Sequence, residues 1–140
     1  MTEKETVSTR WLEDMAFETE IDGHKITIDA KPEVGGQDRG PRPKTMMLAA
    51  LGGCTAMDVV SILKKMRVDV KSLNVIVEGE LTEEHPRYFH NMHVIYEVEG
   101  DNIPMDKIEK AVSLSEEKYC GVSAVYKKVI DMTSEIRIKE

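Results

Sequence analysis

Cysteine is scarce in this sequence, with two residues among 140. Cys54 and Cys120 lie far apart in the chain, and there is no Cys-x-x-Cys motif. The count excludes a zinc site built from four thiolates, and the spacing excludes a thioredoxin-type redox motif. Two interpretations stay open: both cysteines are small buried apolar residues, or the fold brings them together as a reversible redox pair.

The chain has no net positive charge, and aromatic residues are also scarce. The formal net charge is -7, and aromatic residues make up 5% of the chain. Nucleic acids and anionic membranes both present negative charge, so we expect neither as a partner. The nine methionines and the few aromatic side chains predict an aliphatic, thioether-rich core that adapts in shape.

Long apolar segments are missing as well. No uninterrupted apolar run approaches the ~18 residues of a membrane-spanning helix. Residues 1–6 are charged and have no apolar segment behind them, unlike a secretory signal. We therefore expect a cytoplasmic chain that does not enter a membrane. Its length of 140 residues fits one domain, residues 1–140.

Hydrophobic periodicity predicts strands and helices in the order β-β-α-β-β-α-β. Asp22-Gly23 is a hairpin signal, and prolines and glycines make residues 31–43 a long loop. The two middle strands each alternate an apolar and a polar face, which is typical of an α+β fold with antiparallel sheet. The predicted elements are strands at 11–21, 24–30, 73–81, 88–98 and 130–138, helices at 44–66 and 104–119, and a short helical segment at 122–127.

The first half of the predicted helix 44–66 is apolar on every side, which predicts burial on every side. One small sheet cannot cover such a helix, so we expect a homodimer wrapped around it. Gly52-Gly53 interrupts the helix, and each glycine costs about 1 kcal/mol relative to alanine. Close approach of another backbone, room around Cys54, and tight packing without chemistry are the alternative explanations.

Other candidate sites are weaker. His90 and His93 are three residues apart on a predicted strand, so they point to opposite faces and cannot both bind one metal without a bulge. Residues 35–40 are glycine-rich but match neither the P-loop nor the dinucleotide-binding fingerprint. The runs of carboxylates are typical of solvated faces. We expect no bound metal and no cofactor.

The cysteines remain as the candidate chemistry. A peroxide-reducing thiol must ionise, and it needs a cation or donor for the peroxide oxygens and an apolar pocket for an organic substrate. A second thiol must trap the sulfenic acid as a disulfide. Cys120 precedes Gly121 at a predicted helix break, where the first N–H groups of the next helical segment could stabilise a thiolate. The composition permits this chemistry.

Two segments resemble the OsmC/Ohr family. Residues 40–63, GPRPKTMMLAALGGCTAMDVVSIL, are similar to its central-helix signature, and residues 116–124, EEKYCGVSA, are similar to its second-cysteine motif. WLEDMAF at 11–17 and DGH at 22–24 also fit. The resemblance therefore covers nearly the whole chain.

The resemblance implies an α+β homodimer in which antiparallel sheets from both chains pack around two long central helices. Each active site would lie at the dimer interface. Peroxidase members of the family reduce organic hydroperoxides, and the resemblance makes Cys54 the peroxidatic cysteine and Cys120 the resolving cysteine. A cellular dithiol would reduce the disulfide; lipoylated proteins are the donors for some members.

The sequence also departs from the family pattern. Pro43-Lys44-Thr45 replaces a segment that carries a glutamate, and Asp14-Met15-Ala16 lies where the peroxidases carry an arginine. Arg10, Arg39 and Lys44 are the candidate substitutes for this activating Arg–Glu pair. The form GGCTAMDVV at residues 52–60 resembles the YhfA-like branch.

The missing Arg–Glu pair keeps a second hypothesis open. The chain could be a binding or sensing protein that keeps the fold and an apolar interface pocket without efficient catalysis. A third hypothesis is a different cysteine-dependent activity on an apolar small molecule.

Overall fold

The computed structural model describes residues 3–140. It has six strands, three α-helices, a short 3-10 turn at Pro32–Val34 and a π-helical turn at Ser115–Tyr119. Two compact parts divide after Met47. The elements are β1 (Ser8–Glu13), β2 (Ala16–Ile21), β3 (His24–Ile28), α1 (Pro43–Lys65), β4 (Ser72–Leu81), β5 (Phe89–Glu99), α2 (Met105–Leu114), α3 (Gly121–Tyr126) and β6 (Asp131–Lys139).

The first part holds an antiparallel sheet in the order β1-β2-β3. The single strand predicted over 11–21 is wrong, because the chain turns at Asp14 and forms a hairpin there. Asp14 adopts a positive φ of 52°, a conformation that aspartate tolerates better than most residues, but no glycine marks the turn. The predicted turn at Asp22-Gly23 is confirmed, with φ of 51° and 80°.

The long loop after β3 is anchored by a buried carboxylate. Asp29 accepts hydrogen bonds from the backbone N–H groups of Ala30, Gln37 and Arg39 at 2.7, 3.1 and 3.2 Å. The Arg39 guanidinium lies 3.7 Å from the same carboxylate. Burial alone raises the pKa of Asp29, but these donors and the arginine outweigh it and lower the pKa. The loop is therefore held in one arrangement.

The second part holds a mixed sheet in the order β4-β5-β6. Strands β4 and β5 are antiparallel, as predicted, but β5 and β6 are parallel. The predicted α+β fold class is confirmed, and the expected antiparallel pairing holds for β4 and β5 but is wrong for β6. The chain leaves β5, crosses through α2, the π turn and α3, and enters β6 in the same direction, which is the connection that parallel neighbours require.

The start of β5 is also shifted from the predicted pattern. A bulge changes the register between Glu80 and Leu81, so that Leu81 pairs with Phe89. Phe89 is buried, whereas Tyr88 and His90 are exposed. A bulge adds one residue to one strand and reverses the faces beyond it, and strict alternation cannot predict it.

Helix α1 confirms the predicted boundaries within one residue at each end. Its buried residues form one stripe at four-residue spacing: Leu51, Thr55, Val59 and Leu63. Ala49 and Ala50 are exposed, which agrees with the expectation that one chain alone cannot cover this helix; burial of its first half on every side stays a prediction for the homodimer. By length and composition alone, this helix could also cross a membrane, contrary to our reading of the sequence. That is weak support for a span, since core helices of soluble proteins pass the same test.

The core of the second part lies between the sheet and the helices. Met92, Val94, Tyr96 and Val98 occupy alternate positions of β5 and point into it. Ile108, Ala111 and Val112 of α2 and the buried stripe of α1 complete it. Cys120 belongs to this core, and Cys54 packs against it.

Candidate thiol site

Helix α1 and the π turn carry the candidate site. Cys54 and Asp58 are one helical turn apart on α1, so their side chains lie near each other. The π turn ends at Tyr119, and the N–H of the next residue, Cys120, donates to the carbonyl of Ser115 at 2.7 Å. Turns of this kind inside helices are frequent at functional sites.

The two cysteines are brought together. Both are free thiols, and each Sγ lies within 4.8 Å of the other and of an Asp58 carboxylate oxygen. A disulfide needs about 2 Å between the sulfurs, so the two thiols must move closer before they bond. The tertiary contact favours the redox-pair interpretation over two unrelated buried cysteines.

The two thiols differ in their surroundings. Cys120 is 3% exposed, while Cys54 is half-buried. Burial, and next the neighbouring Cys54 thiol, raise the pKa of Cys120 to about 11. The Ser123 N–H donates to the Cys120 sulfur at 3.3 Å and acts in the opposite direction. This contact confirms the predicted donor at the start of the following helix. Cys54 is the more accessible thiol.

A buried chain of hydroxyl groups connects Asp58 to the opposite side of the site. The Thr55 hydroxyl lies 2.8 Å from both the Tyr96 hydroxyl and the Ser115 hydroxyl. Tyr96 donates to Glu116 at 2.9 Å, and Ser115 donates to Asp58 at 3.0 Å. Burial raises the pKa of Tyr96 well above its usual value, so Tyr96 remains a proton donor. The two carboxylates are therefore joined through three hydroxyls.

This hydroxyl chain is one proton short. Tyr96 and Ser115 each use their single hydroxyl proton on a carboxylate, so both must accept from Thr55. Thr55 has one proton and can donate to only one of them. Four contacts therefore share three hydroxyl protons, so the hydroxyl chain can accommodate one more proton.

A cleft opens beside Asp58 between α1 and the end of α2. Its walls include Ile62, Met66 and Leu114, with Tyr119 at the same cleft. Ser61 and Lys65 also line the cleft, so apolar side chains lie beside a carboxylate and an ammonium group, which suits a small molecule with an apolar body and a polar end.

A family model described as OsmC-like protein matches residues 35–135. The chain belongs to the OsmC-like family. Protein YhfA of Escherichia coli strain K12 is 38% identical over 125 residues, which cover 89% of this chain and 90% of YhfA.

Solved structures agree with this assignment. A hypothetical protein from Aquifex aeolicus VF5 superposes with a TM-score of 0.84 at 28% identity, covering 99% of this chain and 100% of that one. The organic hydroperoxide resistance protein OhrB of Bacillus subtilis superposes with a TM-score of 0.66 at 17% identity, covering 96% and 98%. The OhrB match shows a shared fold.

The candidate substitutes for the family's Arg–Glu pair all lie in the first compact part of this OsmC-like chain. Arg10 pairs with Glu18 at 3.1 Å. Arg39 pairs with Glu13 at 3.1 Å in addition to its contact with Asp29. Lys44 is exposed in the first turn of α1. Both arginines therefore already have carboxylate partners.

Sequence reasoning missed most of the polar residues of the site. These are Thr55, Asp58, Tyr96, Ser115 and Glu116. Two signals were available: Thr55 and Ser115 are polar residues at core positions of apolar helix patterns, and Asp58 follows Cys54 by one helical turn. Within residues 3–140, Cys54, Asp58 and Cys120 are also the group that could hold a metal ion.

Proposed function

We propose that this OsmC-like protein reduces organic hydroperoxides with Cys54 as the attacking thiol and Cys120 as the resolving thiol. The observation that carries the proposal is the pair of free thiols within 4.8 Å, one accessible and one buried. Membership of a family with hydroperoxide resistance proteins among its structural neighbours supports it.

The first step forms a sulfur–oxygen bond. Cys54 loses its proton, and its sulfur attacks the terminal oxygen of the hydroperoxide as the O–O bond breaks. The alkoxide that leaves takes up a proton and becomes the alcohol, and Cys54 becomes a sulfenic acid. Asp58 is near enough to receive the thiol proton through one water and to return it to the alkoxide. The hydroxyl chain, which has one proton fewer than its four contacts, can share the thiol proton until the alkoxide takes it up.

The second step forms the disulfide. The Cys120 sulfur attacks the Cys54 sulfur, and hydroxide leaves with a proton as water. An external dithiol then supplies two electrons and two protons and restores both thiols. We expect that a cellular dithiol, such as a lipoylated protein, serves this role, since no reductant is part of the chain itself.

The active protein is proposed to be a homodimer in the cytoplasm. The outward side of α1 carries the apolar residues Ala50, Gly53, Met57 and Val60, all exposed in the single chain. A second copy that packs on this side would remove the exposed apolar surface from water. A Cβ atom added at Gly53 would meet open space, and one added at Gly52 would lie 3.4 Å from Val77 Cγ2, so tight packing within one chain does not explain the glycine pair.

Peroxide consumption tests the proposed function. Reduced protein is supplied with cumene hydroperoxide or hydrogen peroxide and with a small dithiol or a lipoyl-dependent recycling system. We expect turnover that favours the organic peroxide and is abolished in Cys54→Ser. Cys120→Ser should complete one turnover and then over-oxidise. Full activity of Cys54→Ser would contradict the proposal.

One observation favours a second candidate, a binding protein without efficient catalysis. An Asp58 carboxylate oxygen lies within 4.8 Å of both sulfurs, and a carboxylate does not stabilise a thiolate as a cation would. The pH dependence of Cys54 alkylation separates the two functions. Alkylation that stays fast below neutral pH supports the peroxidase, and alkylation that falls away below the usual thiol range supports the binding protein.

A further inference from the structure

The ligand atoms of Cys54, Asp58 and Cys120 form a compact group that the peroxidase proposal uses only in part. Two sulfurs and one carboxylate oxygen lie within 4.8 Å of one another. Fully ionised, the three groups would carry three negative charges in a partly buried space. A divalent cation offsets such a cluster, because the metal favours the deprotonated form of each ligand.

The chemistry of these donors selects zinc. Thiolate sulfur is a soft ligand and carboxylate oxygen is a hard one, and Zn²⁺ accepts both. A tetrahedral zinc with bonds of about 2.3 Å to sulfur separates its ligand atoms by roughly 3.7 Å. The group is within about 1 Å of that separation, which small side-chain rotations can close. Three protein ligands leave the fourth position open, as in exchangeable and catalytic zinc sites.

The neighbours of these ligands are arranged as in a metal site. Ser115 donates to Oδ2 of Asp58 at 3.0 Å, which orients the carboxylate and leaves its other oxygen available. The Ser123 N–H donates to the Cys120 sulfur at 3.3 Å. Outer hydrogen bonds of this kind fix metal ligands in their binding orientation. Asp58 also stands one turn from Cys54 on a rigid helix, so two of the ligands are positioned by the same element.

We propose that the reduced protein binds one Zn²⁺ per chain through Cys54, Cys120 and Asp58, and that oxidation of the two thiols releases the ion. The release rests on the proposed peroxidase function; the binding does not. In the balanced reaction, two zinc-bound thiolates, one organic hydroperoxide and two protons give the disulfide, the alcohol, water and free Zn²⁺. Zinc and peroxide compete for the same sulfurs, so bound zinc slows the reaction of the thiols with peroxide.

Metal binding by the reduced protein tests the proposed zinc site. Zn²⁺ is titrated in competition with a chromophoric chelator, and Co²⁺ is used as a spectroscopic probe for thiolate ligands. We expect one ion per chain and a sulfur-to-cobalt charge-transfer absorption. Cys54→Ser and Cys120→Ser should each lose about half of this absorption, and Asp58→Asn should weaken zinc binding at least about tenfold.

Asp106→Asn, an exposed aspartate of α2, is the matched control and should bind zinc as the parent does. Absence of stoichiometric zinc binding by the reduced parent would overturn the proposal. Equal affinity of Asp58→Asn and the parent would overturn the three-ligand site and leave binding to the thiols alone.

Treatment with peroxide tests the proposal that oxidation of the thiols releases zinc. Zinc-loaded protein is treated with cumene hydroperoxide, and free Zn²⁺ and the disulfide are measured together. One Zn²⁺ released per disulfide is expected, and retention of zinc in the disulfide form would contradict release. Peroxide turnover is measured separately on metal-free protein with chelator present. Failure of the peroxidase proposal is thereby distinguished from failure of the zinc proposal.

Discussion

The hydroxyl oxygen of Thr55 lies 2.8 Å from that of Tyr96, and these side chains are 1% and 0% exposed. This contact joins α1 to the central strand of the second sheet, next to the turn of helix that carries Cys54. A buried hydrogen bond contributes modestly to stability, but loss of one partner leaves the other group without compensation for its lost hydration. The contact therefore fixes the thiol-bearing helix against the sheet.

Replacing Tyr96 with phenylalanine removes one hydroxyl from the middle of this chain. Thr55 and Glu116 each lose a partner, and we expect a loss of about 1–2 kcal/mol in the free energy of unfolding, measured in urea. Tyr88→Phe is the matched control, because Tyr88 is 51% exposed and should tolerate the change. Equal stability of Tyr96→Phe and the parent would show that the buried hydroxyl chain contributes little.

The two thiols should react at different rates with iodoacetamide. Cys54 is accessible, whereas burial and the Cys54 thiol raise the pKa of Cys120 to about 11. Because the thiolate is the reactive form, Cys120 should label slowly near pH 8 and faster as the pH approaches that value. Mass spectrometry of each cysteine-containing peptide gives the two rates. Unfolded protein, in which both should label alike, is the control, and equal rates in the native protein would contradict the assignment.

Replacing Gly40 with alanine should disrupt the loop that lies against β3. A Cβ atom there would lie 1.9 Å from the carbonyl oxygen of Thr27, so backbone must move. We expect a loss of about 1–3 kcal/mol or more, observed as a lower thermal midpoint. Gly121→Ala has open space around the added atom and serves as the control. A parental midpoint for Gly40→Ala would show that the loop is not held against the strand.

The stability contributed by Asp29 should depend on pH. Its pKa in the folded state is lowered from 3.8, so the unfolded state binds more protons between the two values. The contribution is fully present above pH 3.8 and is lost as the pH falls through the folded-state pKa. We expect Asp29→Asn to be less stable than the parent at neutral pH and the difference to shrink in acid. Unfolding curves at a series of pH values measure this, and a difference that stayed constant would contradict it.

The apolar outer side of α1 should hold a second copy of the chain. Met57 is 76% exposed there, and a charge at this position would be buried without a partner in a homodimer. We expect Met57→Glu to shift the protein from dimer to monomer in sedimentation equilibrium. Val129→Glu places the same charge at a residue that is 75% exposed elsewhere and should leave the dimer intact. A monomeric parent would contradict the dimer directly.

Local patterns predicted most of the elements. Helix α1, the hairpin at Asp22-Gly23 and strands β4 and β6 follow from periodicity and turn residues, because both signals act over a few neighbouring residues. The hairpin at Asp14 escaped because no glycine or proline marks it, and the bulge at the start of β5 escaped although Gly79 lies directly before the register shift. The family was recognisable from residues 40–63 and 116–124, and the family match over residues 35–135 confirms it.

The sequence by itself determined the helix that carries Cys54, the break that precedes Cys120 and the family to which the chain belongs. Only the tertiary structure decided that these thiols meet beside Asp58, that Thr55, Tyr96 and Ser115 form one hydroxyl chain, and that β6 runs parallel to β5. The physical reason is the separation along the chain over which the interactions act. Periodicity and capping depend on neighbours within a turn or two, whereas each of these contacts joins segments about 40 to 70 residues apart through a shared core.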